Sequence, residues 1–469
     1  MADRKPVSEA EINPCAAQNS RDTSGTDSTS DNSATRSRLL LAAIAAFCTY
    51  FCMYAFRKPF TAGMFEQQQL FGFGLKTVLV ISQLTGYMLS KFIGIRVVSE
   101  LRRDQRAYAI IGLILAAELA LVGFAIAPLP VKPVMLLLNG LPLGMIFGIV
   151  LAYLEGRRQT EALSAALCAS FIISSGVVKS VGRWLIQGSG VSEFVMPALV
   201  GLIFLPALLA SVWLLQATPP PCILDRDSRG QRTTMNRTDR RRFWNAYWPG
   251  LSALVFVYVA LTIVRTIRDD FAVEIWRDMG IDQTPSVFAK AETVVAVFVT
   301  ALNALAIWIR HNLAAIRATI MLMCAAFGLV GASAMLQASN LTSPFGFMVI
   351  CGVGMYVPYV AFHTTVFERL VAASRHPGNL VFLMYVADAV GYLGYALVLT
   401  FRTTLQSTEA VLPLFRVVLV IVAVVCITAL LVALHYFHRV LIHEVGSPAT
   451  LGPGTVGSVD SGHRNRSRE

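Results

Sequence analysis

Tyr50, Tyr54 and Arg57 stand at i, i+4 and i+7, so on a helix all three share one face. They close an apolar run that begins at Leu39. An arginine at the end of such a run is costly in hydrocarbon unless it faces a polar interior. The same spacing returns with Tyr258, Thr262 and Arg265, offset by 208 at all three positions. A guanidinium stays charged, and its planar fork fits carboxylate or phosphate oxygens two at a time. One such group in each half of the chain predicts two related halves clasping an anion.

Other polar residues interrupt the apolar runs. Gln83, Tyr87 and Lys91 form one stripe at i, i+4 and i+8. Lys91 either snorkels to the interface or faces a cavity, and its depth in the run favours the cavity. Glu118 sits mid-run as a proton carrier or an interhelical hydrogen-bonding group. Ser175, Lys179 and Arg183 share a face, with Arg183 expected at the interface. Arg268 and Asp269 read as a solvated helix end. Tyr356, Pro358 and His363 lie on a run containing Gly352 and Gly354, where a lone histidine is expected to be structural. Asp388 precedes Gly391-Tyr392-Leu393-Gly394, and a carboxylate there needs a partner or a proton. The glycines themselves allow close helix approach. His435, His438 and His443 make a weak metal pattern and are expected at the membrane interface. The eight cysteines form no CxxC pair, and neither a phosphate loop nor a nucleophile elbow occurs. No enzyme, metal centre or cofactor is expected.

These side chains need membrane helices to carry them. Of 469 residues 55% are hydrophobic and 14% charged, with a mean hydropathy of +0.61, which excludes an ordinary soluble domain. The net charge of +11 does not signal nucleic acid, because its arginines lie in short connections. Runs long enough to cross ~30 Å of hydrocarbon fall at 39–60, 75–97, 107–127, 133–154, 163–186, 194–216, 249–267, 286–309, 315–337, 343–366, 379–400 and 411–435. The expected organisation is a disordered tail 1–38, a six-helix half 39–216, a basic linker 217–248, a second half 249–436 and a tail 437–469. Arginines follow the second, fourth, eighth and tenth runs, so both termini are expected in the cytoplasm. Six helices plus six is the pattern of two parallel repeats around a central cavity. The fold class is therefore an all-α, multi-pass membrane protein, expected to be monomeric, with membrane lipid around it and a small anion as its ligand.

The motifs resemble those of the major facilitator superfamily, and within it the organophosphate:phosphate antiporters, such as the bacterial glycerol-3-phosphate and hexose-phosphate transporters. Tyr50-x3-Tyr54-x2-Arg57-Lys58-x-Phe60 is similar to that family's first-helix motif. Gly86-Tyr87-x2-Ser90-Lys91-Phe92 is similar to its second. Arg265 with Asp270, Tyr356-Val357-Pro358 and Gly391-Tyr392-Leu393-Gly394 resemble its seventh, tenth and eleventh. The resemblance implies exchange of a phosphorylated metabolite for inorganic phosphate across a bacterial inner membrane. It gives Arg57 and Arg265 the phosphate, and sets Lys91, Tyr50, Tyr54, Tyr87, Tyr356 and Tyr392 around the cavity. It also implies that Lys58 and Asp270 pair when the exterior side is closed. The chain departs from the family in lacking its fifth-helix histidine, where Ser174-Ser175-Gly176 stands, and in carrying Glu118, Lys179 and Asp388 as extra charges. Two other functions fit the same residues: a membrane sensor of a phosphorylated ligand, and a proton-coupled symporter using Asp388 or Glu118.

Overall fold

The computed structural model describes residues 28–446 except 67, 155–159, 219–236, 282–283, 308, 310–311, 374–379 and 405–410. Twelve long helices follow one another: α1 Ser28–Arg57, α2 Leu75–Glu100, α3 Arg103–Ile126, α4 Lys132–Leu154, α5 Thr160–Ser189 and α6 Met196–Gln216, then α7 Arg237–Asp270, α8 Ser286–Ile307, α9 Asn312–Ala338, α10 Pro344–Ala361, α11 Leu380–Thr404 and α12 Val411–Gly446. A short helix, Ala272–Asp278, joins α7 to α8. Ahead of α2, strands β1 Gln69–Leu70 and β2 Phe73–Gly74 pair antiparallel. Among the described residues ten helices contain a run long and apolar enough to span a membrane, and α2 and α11 complete the twelve. The architecture is the all-α, twelve-helix arrangement that the apolar runs predict.

Element ends differ from expectation where polar sequence continues a helix already formed. The first helix begins at Ser28, not near Leu39, so part of the expected tail is helical. Extending a helix adds a hydrogen bond per residue fixed and avoids the cost of nucleation, so poor helix formers can follow a strong apolar run. For the same reason α7 starts at Arg237, inside the expected linker, and α12 runs to Gly446, beyond 436. The linker arginines 226, 229 and 232 lie outside the described residues. The other end of α1 is sharp. Pro59 has no N–H to offer Ala55, so the α-helix stops at Arg57 and a buried 3-10 turn follows over Pro59–Ala62. The α-helix thus ends three residues short of the expected boundary at residue 60.

The halves meet along two helix pairs. Between α5 and α8 the backbones come close at Gly176, where a Cβ would lie 2.5 Å from the Phe288 carbonyl oxygen. Ser180 Oγ accepts a hydrogen bond from the Ala289 N–H at 3.0 Å nearby. Between α2 and α11, the rings of Tyr87 and Tyr392 meet edge to face with centroids 5.7 Å apart. The cavity described next lies between these seams.

Candidate functional site

The C-terminal end of α1 is fixed from both flanks. Its last carbonyls have no helical partner. Asn139 on α4 donates to the Phe56 carbonyl at 3.0 Å, and Gln83 on α2 donates to the Arg57 carbonyl at 2.7 Å. Gln83 also donates to Asn139 Oδ1 at 2.8 Å. This amide network sets the direction in which Arg57 leaves its helix. The guanidinium lies over the face of Tyr87, 3.8 Å from the ring centroid, with Tyr54 at 5.8 Å. Arg265 on α7 mirrors it, 4.3 Å over Tyr359 and 5.8 Å from Tyr356. Cation–π contact of this kind holds a desolvated guanidinium while leaving its N–H edge free for an acceptor.

Both arginines are buried, at 8% and 7% exposure, and both line one cavity between the halves with about 40 Å³ open to the centres of water molecules. A single water needs roughly 10–15 Å³ by that measure, so the space suits an ion of a few heavy atoms. Among the described residues no carboxylate pairs with Arg57 or Arg265. Lys58, Lys76, Lys91, Lys179 and Arg268 each have at least one. Buried charges are ordinarily paired, so these two guanidiniums stand apart from the other buried cations around them.

One end of the cavity is closed by charge. Lys58 Nζ reaches Asp270 Oδ1 at 2.5 Å and Asp269 Oδ2 at 2.6 Å. Asp269 also takes Lys179 and the Ser175 hydroxyl from α5, and Tyr395 on α11 donates to Asp270 Oδ2 at 2.9 Å. Asp269 and Arg268 are therefore not a solvated helix end. Arg268 is 1% exposed, pairs with Glu292 of α8 at 2.8 Å and donates to the Met348 carbonyl at 2.9 Å. The end of α7 is covered by α5, α8 and α10, which turns its charges inward. Arg183, expected at the interface, is also buried.

Toward the other end Lys91 pairs with Asp388, and the Tyr258 hydroxyl donates to the second oxygen of that carboxylate. The Lys91 ammonium stands 4.9 Å from the Tyr392 ring centroid and 5.3 Å from that of Tyr87. Gly391 sits against Thr262 of α7, so the glycine motif brings Asp388 up to Tyr258. His363 also lines the cavity, at a π turn where the helix widens over Phe362–Val366.

Most residues singled out in the sequence converge here. Tyr50, Tyr54, Arg57, Lys58, Tyr87, Lys91, Arg265, Asp388 and Tyr392 line the cavity. Tyr356 does not; it packs behind Arg265, and Tyr359, three residues on, takes the lining position. Its signal was the spacing Tyr356, Tyr359, His363, one helical face that the Tyr-x-Pro motif hid. Asp269, four residues after Arg265 on the same helical face, also lines the cavity, against its reading as a solvated helix end. Glu118 lies elsewhere. Its carboxylate is buried against Gly201 of α6 and Phe56, where a Cβ on residue 201 would come 2.1 Å from Oε2. Among the described residues it has no hydrogen-bond partner. Lys179 belongs to the closing network and not to the cavity wall.

Comparison with known proteins agrees with the architecture. A family model described as "Family of unknown function (DUF5690)" matches residues 59–440. No curated protein matches the chain. Among solved structures, the crystal structure of a D-xylose-proton symporter superposes with a TM-score of 0.56 at 13% identity, covering 83% of this chain and 96% of that one. At that identity the likeness shows the fold alone.

Proposed function

The chain belongs to the family of unknown function DUF5690, a membership that assigns no activity, and from the site together with the resemblance of its motifs to the organophosphate:phosphate antiporters we propose that it is an alternating-access transporter of a small phosphorylated anion, exchanged for inorganic phosphate. The observation that carries this reading is the pair Arg57 and Arg265. One comes from each half, each is backed by tyrosines, and neither has a carboxylate partner among the described residues. Each half brings one fork to the substrate, so a bound dianion draws the halves together and lowers the barrier to their rocking. Without the dianion the two forks repel, which favours exchange over one-way passage.

The test has two stages. Purified protein is screened by thermal shift against glycerol phosphates, sugar phosphates, inorganic phosphate and carboxylates. A ligand at 100 times its Kd adds about 2.7 kcal/mol of stability. Reconstituted protein is then assayed for counterflow, where phosphate-loaded vesicles should take up the phosphorylated ligand with no proton gradient. Stabilisation by carboxylates and not by phosphates would sink the reading, and binding without counterflow would turn it into a sensor.

Asp388 favours a second reading, a proton-coupled symporter. Its carboxylate lines the cavity between Lys91 and the Tyr258 hydroxyl, and a carboxylate in a substrate cavity is a proton acceptor within reach of the ligand. On that reading, uptake collapses when the proton gradient is dissipated. On the exchange reading it persists.

A further inference from the structure

A groove of about 380 Å³ opens on the outer surface of the bundle, between the start of α9 and the end of α12 and far along the chain from both arginines of the cavity. Its floor is apolar: Met321 from α9, and Leu431 and Leu434 from α12. Its rim is basic or hydrogen-bonding: Arg317, His435 and His438. The spacing explains the grouping. Arg317 and Met321 are one turn apart on α9, and Leu431, Leu434, His435 and His438 follow the i, i+3, i+4, i+7 pattern of one helix face. Met321 is 52% exposed and Leu431 47%, so this face looks outward to the hydrocarbon. Arg317, His435 and His438 pair with no carboxylate among the described residues.

We propose that this groove binds one anionic phospholipid of the cytoplasmic leaflet, an acyl chain along Met321, Leu431 and Leu434 and the headgroup phosphate on Arg317, His435 and His438. The placement favours a lipid over other occupants. The polar groups stand at one end of an apolar channel, as headgroup stands to chain. That end is the one where positive residues and the C-terminus are expected in the cytoplasm, and anionic lipids gather in that leaflet. Arginine offers a fork to phosphate oxygens, and a histidine donates at least one N–H whatever its charge. A free phosphate meets the same donors without the chain contacts.

Native mass spectrometry of the delipidated full chain, given equal amounts of phosphatidylglycerol and phosphatidylcholine, tests the site. The wild type should retain one phosphatidylglycerol in preference, by about fivefold or more, the effect of one basic side chain at an anionic surface. The double variant Arg317→Gln, His438→Gln should bring that ratio to about one. Arg439→Gln removes an exposed charge outside the groove and should leave it unchanged. Arg317→Gln alone should halve the preference or more, which keeps the test open if the double variant does not fold. Millimolar inorganic phosphate should not displace the lipid. The proposal fails if the double variant keeps the wild-type ratio, or if Arg439→Gln loses as much preference, which would mean general surface charge. It also fails if phosphate empties the groove, or if the variants abolish a dimer mass instead, which would make the groove a contact between two copies.

Discussion

At the scale of single residues, the site turns on what a guanidinium does that an ammonium does not. The Arg57 and Arg265 guanidiniums lie over the rings of Tyr87 and Tyr359. Lysine keeps the charge but loses the planar group and its two-pronged edge. We predict that Arg57→Lys and Arg265→Lys each weaken phosphate-ester binding by about 10- to 100-fold, the loss of one hydrogen bond to a charged group at roughly 1.5–3 kcal/mol. Thermal unfolding without ligand should change little, since neither arginine pairs with a described carboxylate that would be stranded. Titration calorimetry on both variants checks this, and wild-type affinity in either removes that arginine from the clamp. A companion substitution separates two neighbouring tyrosines. Tyr359→Phe removes a cavity hydroxyl and should alter ligand affinity, whereas Tyr356→Phe, behind Arg265, should act mainly on stability. Most of these residues were legible in the sequence, because a polar group in an apolar run is conspicuous and its helical face follows from spacing. Tyr359 was not, because an aromatic in such a run looks like core until its neighbours are known.

At the scale of elements, helices found as apolar runs proved more legible than their partners. Runs and caps are local, but Asn139 ties α1 to α3 by donating to the Phe56 and Ala117 carbonyls, 83 and 22 positions away. No period in the sequence announces that. The pair between α2 and α11 could be anticipated, because Lys91 and Asp388 are costly alone and the two repeats place those helices side by side. Their side chains are 15% and 17% exposed. We predict that Asp388→Asn destabilises the protein by up to about 3 kcal/mol, the lower part of the cost of stranding a buried charge, because some solvent still reaches Lys91. Adding Lys91→Met should recover most of the loss. A double-mutant cycle by thermal denaturation measures the coupling, and strictly additive effects would mean the two side chains do not stabilise each other. Tyr258→Phe should cost less than Asp388→Asn, because the carboxylate keeps Lys91.

At the scale of the whole molecule, three sets of ion pairs join the halves at the end where α1 finishes, the end expected to face the exterior. Lys58 holds Asp269 and Asp270, Lys76 holds Glu274 at 2.5 Å, and Arg277 pairs with Glu66. They are not equivalent. The Arg277 and Glu66 side chains are 38% and 57% exposed, where a pair contributes at most about 1 kcal/mol. Lys58, Lys76, Asp269 and Asp270 are at most 8% exposed, so losing one partner leaves a desolvated charge whose cheapest relief is to separate the halves and admit water. Asp269 is shared by Lys58 and Lys179, whereas Asp270 keeps Lys58 and the Tyr395 hydroxyl. Removing the charge on Asp269 strands Lys179 and takes one of the two carboxylates from Lys58, whereas removing that on Asp270 leaves both ammonium groups paired with Asp269. Thr61, fully buried in the 3-10 turn beside this network, reports on opening if replaced by cysteine in a background without the native thiols. We predict that its labelling by an impermeant thiol reagent rises in the order wild type, Arg277→Ala, Asp270→Asn, Asp269→Asn, with Arg277→Ala close to wild type. Lys58→Ala should also raise it, and the saturating dianion, by drawing Arg57 and Arg265 together, should lower it in every variant that still binds. Equal labelling of Arg277→Ala and Asp269→Asn would show that burial does not grade these pairs, and the gate would then have to lie in helix packing and not in charge.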